Sequence, residues 1–139
     1  MNSNATDVEV NYSNITAVHE HGFNVGATEL VNKSGQNLVA WCWKAGGTAV
    51  SNSDGSITSS VSANTEAGFS IVTWTGSGAD ASIGHGLGKK PHVIFVKNRS
   101  ASDNWRVWWK NVTTSDAHAL VLNDTTAVYT GSDLSLIHI

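Results

Sequence analysis

The residues with reactive side chains are few, and each meets a plainer explanation. His19-Glu20-His21 sets two imidazoles at alternate positions, the spacing that puts them on one face of a strand where a metal could sit. No third ligand stands near them, so exposed polar residues ahead of Gly22 account for the triplet. His85 lies in Gly84-His85-Gly86-Leu87-Gly88, which invites comparison with phosphate-cradling glycine loops. The comparison fails because no Lys-Ser/Thr follows in place and no strand–loop–helix unit surrounds it. A tight turn, with His85 bonded to backbone, is the better reading. Asp80, Asp103, Asp116 and Asp124 fall in separate loops without the spacing of a calcium loop. There is no Gly-x-Ser-x-Gly elbow, and no pair of carboxylates stands out to flank a glycosidic bond. The expectation is a non-enzymatic protein with no cofactor and no metal.

The strongest functional lead is the six Trp. Trp41 and Trp43 share one strand face, and their apolar neighbours assign them, with Trp74, to a core. In Trp105-Arg106-Val107-Trp108-Trp109, Trp105 and Trp109 share a face and Trp108 lies opposite. With Trp on both faces, at least one ring should be exposed. Trp105, Trp108 and Trp109 are therefore the candidate ligand-binding residues, able to stack on sugar faces. The same rings could instead bury against a next module or a neighbouring subunit, which is the favoured reading.

These side chains need elements to hold them, and composition limits the choice. Of 139 residues, 40 % are apolar but only 14 % charged, against roughly a quarter in ordinary domains. Gly, Ser, Thr and Asn take up the difference, which disfavours helices and suits short strands with tight turns. A net charge of −3 gives no footprint for nucleic acid. Lys89-Lys90 with Lys97 and Arg99 forms the only basic cluster, and apolar residues interrupt it. The lone Cys42, between Trp41 and Trp43, cannot make an internal disulfide and reads as a small buried hydrophobe. No apolar run reaches the ~20 residues of a membrane span, and the N-terminus lacks a signal-peptide pattern.

Alternation and turn residues predict strands at Val8–Tyr12, Ile15–Val18, Gly22–Gly26, Leu38–Lys44, Ser56–Ala63, Gly68–Gly76, His92–Lys97, Trp105–Lys110, Ala119–Leu122 and Ala127–Tyr129. Leu38–Trp43 is apolar throughout and should be covered on both faces. Asn52-Ser53-Asp54-Gly55 predicts a turn in which Gly55 takes positive φ and Asp54 bonds its own backbone. No convincing helix emerges. The fold class is all-β, an antiparallel β-sandwich-like arrangement of short strands and glycine-rich turns. Gly22-Phe23-Asn24-Val25 and Gly68-Phe69-Ser70-Ile71 repeat one pattern, each expected to open a hairpin-like unit that ends in a Trp-bearing strand.

The final six residues, Leu134-Ser135-Leu136-Ile137-His138-Ile139, match the translation of a transposon-end adapter used in sequencing libraries. The natural sequence is expected to stop near Asp133.

Taken in order, Val39-Ala40-Trp41-Cys42-Trp43-Lys44-Ala45-Gly46-Gly47, the Asn52–Gly55 turn, Ala67 to Gly76, Gly84 to Pro91 and Val93 to Ser100 followed by Trp105 make a combined pattern. It resembles the repeated β-domain of large uncharacterised marine phage proteins described as tail, tail-fibre or virion structural proteins. The resemblance spans roughly Gly22 to Tyr129 and carries no catalytic residue. It implies that residues 1–47 close a preceding β-module and that 48–133 begin the following one, truncated; 134–139 are the adapter read above. It also implies a virion tail location after assembly in the host cytoplasm. The partners would then be other virion subunits or adjacent modules, with host-surface glycan as a further contact. The alternative is a lectin-like β-sandwich of a secreted or surface protein.

Overall fold

A computed structural model describes residues 5–10, 13–110 and 119–125. Among the described residues the chain is all-β apart from one short helix. Its elements are β1 (Ile15–His19), β2 (Gly22–Val25), α1 (Glu29–Asn32), β3 (Val50–Asn52), β4 (Ser59–Asn64), β5 (Phe69–Thr73), β6 (Val93–Val96), β7 (Arg106–Trp109) and β8 (Leu120–Val121). They form a two-stranded sheet β1-β2 and two three-stranded sheets, β3-β4-β5 and β6-β7-β8. Among the described residues these strand pairs are antiparallel, and within each sheet the strands follow one another in sequence order. Among the described residues, no helix is long and apolar enough to cross a membrane.

The middle sheet is the best supported. Val61 of β4 is buried, with Val50 and Val72 as its cross-strand partners. The connector at 83–86 lies over that face. Ser59 donates its hydroxyl to the Gly84 carbonyl at 3.0 Å, and Ile57 bridges Ile83 in parallel. Gly86 holds φ at +70°, and a Cβ there would meet the Val61 methyl at 3.0 Å. Only glycine combines that backbone with so close an approach. The upstream chain continues the course of β3 beside β4: Ser62 donates to Gly47 O at 2.7 Å, and Asn64 Nδ2 donates to Lys44 O at 3.2 Å.

In the third sheet, Val107, Trp108 and Val121 are buried, with Ala119 just before β8. The polar turn between β6 and β7 is closed by Asn98, whose Oδ1 accepts from the amides of Ser100 and Ala101. Residues 6–9 strap this turn. Glu9 N donates to Arg99 O at 3.2 Å, and Asp103 N donates to Thr6 O at 2.9 Å. Lys97 Nζ is shared among the carbonyls of Thr6, Asn98 and Ala101, and Arg99 pairs with the Glu9 carboxylate at 2.5 Å.

Several expectations are corrected. Val8–Val10 forms no strand, because its bonds go to the 99–103 turn rather than to a ladder; the rest of that predicted strand, residues 11–12, lies outside the described residues. Leu38–Lys44 is neither a strand nor covered, because among the described residues no strand ladder pairs with it, only Asn64 Nδ2 reaching Lys44 O. Trp41 is 76 % exposed and Trp43 63 %, so neither is core; Cys42 is exposed, and so is Trp74, just past β5. The Asn52–Gly55 turn exists, but Asn52 makes it, accepting from Asp54 N at 3.0 Å. Gly55 does not take the expected positive φ; it is needed for close packing, since a Cβ there would overlap the Ser82 carbonyl. One helical turn, α1, was not anticipated; it forms where Thr28 O accepts from Val31 N and Asn32 N. The two Gly-Phe segments close hairpins rather than open them, each pairing back onto the preceding strand. Predicted residues 127–129 and the 134–139 tail lie outside the described residues.

Candidate functional site: the exposed aromatic surfaces

The polar candidates resolve into local structure. His19 ends β1 opposite Gly22, while Glu20 and His21 form the two-residue hairpin loop, so the two imidazoles do not share a strand face. Among the described residues no group of three His, Cys, Asp or Glu side chains could hold a metal. His85 Nδ1 accepts the amide of Leu87 at 3.1 Å, which fixes the glycine connector, as the sequence suggests. Of the basic cluster, Lys97 and Arg99 are engaged in the strap, and Lys90 Nζ lies 5.7 Å from the centroid of the Trp108 ring.

What remains is aromatic, and it is divided between two surfaces. The first is built on the open face of β3-β4-β5. Strand alternation separates Phe69 and Ile71 from the face covered by the connector. Trp43 stacks on Phe69 with centroids 5.9 Å apart and planes 12° from parallel. Trp41 meets Trp43 edge-on at 6.3 Å and 87°. Ile71 continues the patch along β5 and is 53 % exposed. Offset and edge-to-face contacts of this kind hold rings in fixed orientations even while they face water.

The second surface belongs to β6-β7-β8. Register pairs Val93 with Trp109, Ile94 with Trp108 and Phe95 with Val107. One face therefore carries Phe95 and Trp109, 57 % and 45 % exposed, and the other carries Trp108, 8 % exposed beneath Lys90. Of the three candidate rings, Trp109 is the exposed one. Trp105 is half-buried, just ahead of β7; its amide donates to Asn123 Oδ1 at 2.8 Å and its carbonyl accepts from Leu122 N. Trp108 Nε1 is buried without an acceptor among the described residues. The two-faced distribution of Trp was visible in the sequence. The Trp41–Trp43–Phe69 cluster was not, because it joins an unpaired segment to a hairpin strand.

These features define a class: an all-β domain of small antiparallel sheets whose aromatic side chains are displayed rather than enclosed. The chain matches, over residues 1–136, the family model described as a domain of unknown function, DUF7483, and it belongs to that family. No curated protein and no solved structure matches it.

Proposed function

We propose that this chain is a non-enzymatic building block of a phage virion, a β-module of a tail or tail-fibre-like protein. Its role is passive: strand ladders give shape, and aromatic surfaces make assembly contacts with adjacent modules or subunits. The observation that carries the assembly reading is the uncovered cluster of Trp41, Trp43, Phe69 and Ile71 beside Leu38 and Val39. Burying such a surface yields about 25 cal/mol per Å² of apolar area, so leaving it in water is costly unless a partner covers it. The virion context rests on the sequence pattern from Val39 to Trp105 and its resemblance to marine phage tail proteins. The division at residue 47 into two modules belongs to the same proposal.

Long-read recovery of the gene across both ends tests the context. Tandem Gly-Phe units beside other tail genes are the expected result. A free-standing gene with a signal peptide or a hydrolase domain would contradict it.

A second reading, a lectin-like module that stacks glycan, is favoured by one observation: Trp109 and Phe95 are both exposed on one sheet face. Glycan-array binding that disappears in Trp109→Ala would select it. Absence of binding in the native chain would leave assembly as the role of this face too.

A further inference from the structure

The open face of the middle sheet ends at a strand edge with no protection against another strand. Among the described residues, β5 pairs with β4 on one side only, in regular register from Phe69↔Asn64 to Thr73↔Ser60. Its other side presents the alternating amides and carbonyls of an edge strand. Natural edges are blunted by charge, proline, bulges or shortness. β5 has none of these: the chain carries no charged residue and no proline from Ala67 to Ala79, and Phe, Ile, Val and Thr favour strand.

The other edges are guarded. β3 has three residues and runs into Asp54, β8 has two, and β1 carries a register irregularity between Ile15 and Ala17. β2 begins on Gly22, which weakens strand pairing. β6 is flanked by Lys89 and Lys90 on one side and Lys97 and Arg99 on the other, so antiparallel self-pairing would set Lys90 against Arg99 of the second copy.

We infer that the β5 edge is a self-association site, whose partner is the β5 edge of a second copy of this chain. The inference rests on the assembly reading above and names its contact. An antiparallel, two-fold pairing centred on Ile71 sets Phe69 against Thr73 and Ser70 against Val72 of the second copy. No like charges meet, and the contact is self-complementary, as a two-fold interface requires. The result is one continuous sheet, β3-β4-β5 joined to β5-β4-β3 of the second copy. The Trp41–Trp43–Phe69 cluster of each copy then lies on the same continuous face.

The test is sedimentation velocity on the full chain, with circular dichroism to confirm folding. The native chain sediments as a dimer. Ile71→Lys sets two like charges opposite each other at the two-fold axis and weakens the association by about tenfold or more. Val50→Lys, a change at an exposed position on β3, leaves the dimer intact. Mixing Ile71→Lys with Ile71→Glu restores a dimer that neither variant forms alone, a result that a merely unfolded variant could not give. A native chain that stays monomeric overturns the site, as does an Ile71→Lys chain that still dimerises or a mixture that does not. None of these outcomes touches the virion reading, which stands or falls on gene context.

Discussion

Leu38–Trp43 and Val93–Val96 are similar runs of apolar residues with opposite fates. Val93–Val96 meets a partner after a polar turn: β7 pairs with it residue for residue, from Val93↔Trp109 to Val96↔Arg106. That turn is closed by Asn98 and strapped by Thr6 and Glu9. Leu38–Trp43 meets no strand of matching register among the described residues, and Val39 is 82 % exposed and Trp41 76 %. Apolar content was never the deciding factor. A strand forms where a second strand of matching register is within reach, and the earlier run lacks one among the described residues. The difference locates the surface that the proposed assembly contact would use.

The contrast is sharpest for the tryptophans. Trp108→Ala opens a cavity in the third sheet and should cost about 3–5 kcal/mol in denaturant unfolding. Trp41→Ala should cost under about 0.5 kcal/mol in the same experiment. Equal losses at the two sites would break the comparison. Trp108→Phe should cost less than Trp108→Ala, because it keeps most of the ring while removing a buried N–H that has no acceptor among the described residues.

Next in size is the connector that covers the middle sheet. Gly86→Ala forces a Cβ into the left-handed region against Val61, with an expected loss of about 1–2 kcal/mol. Asn52→Ala removes the acceptor that closes the turn after β3 and should cost about 1 kcal/mol. The smallest effect belongs to the strap: Glu9→Gln should lower stability by less than about 1 kcal/mol at low salt and by less still at high salt. A larger, salt-independent loss would mean that residues 6–9 hold the third sheet far more tightly than one exposed ion pair can.

Much of this fold could be read from the chain. Hairpin strands β5, β6 and β7 announce themselves by β-branched and aromatic residues between turn signals, and His85 is legible as a backbone ligand inside its glycine loop. Leu38–Trp43 misleads because a continuous apolar run has the same signature whether its cover comes from the same chain or from another. The turn at 52–55 is legible, but Asn52 rather than Asp54 closes it, and the need for Gly55 comes from Ser82, distant in sequence. For the same reason the aromatic cluster was hidden: Trp43 meets Phe69 only because Lys44 and Gly47 are bonded to Asn64 and Ser62. Three exposed rings of six were assigned to the core, since local pattern reports hydrophobicity and not the presence of a partner.

The most direct test of the central claim is carbene footprinting of Leu38–Trp43 and Phe69–Thr73, comparing the chain alone with the chain in the proposed assembly. The account predicts strong labelling of both segments in the isolated chain and protection of both in the assembly. Equal labelling in the two states would show that these aromatic surfaces are not the contacts on which assembly depends.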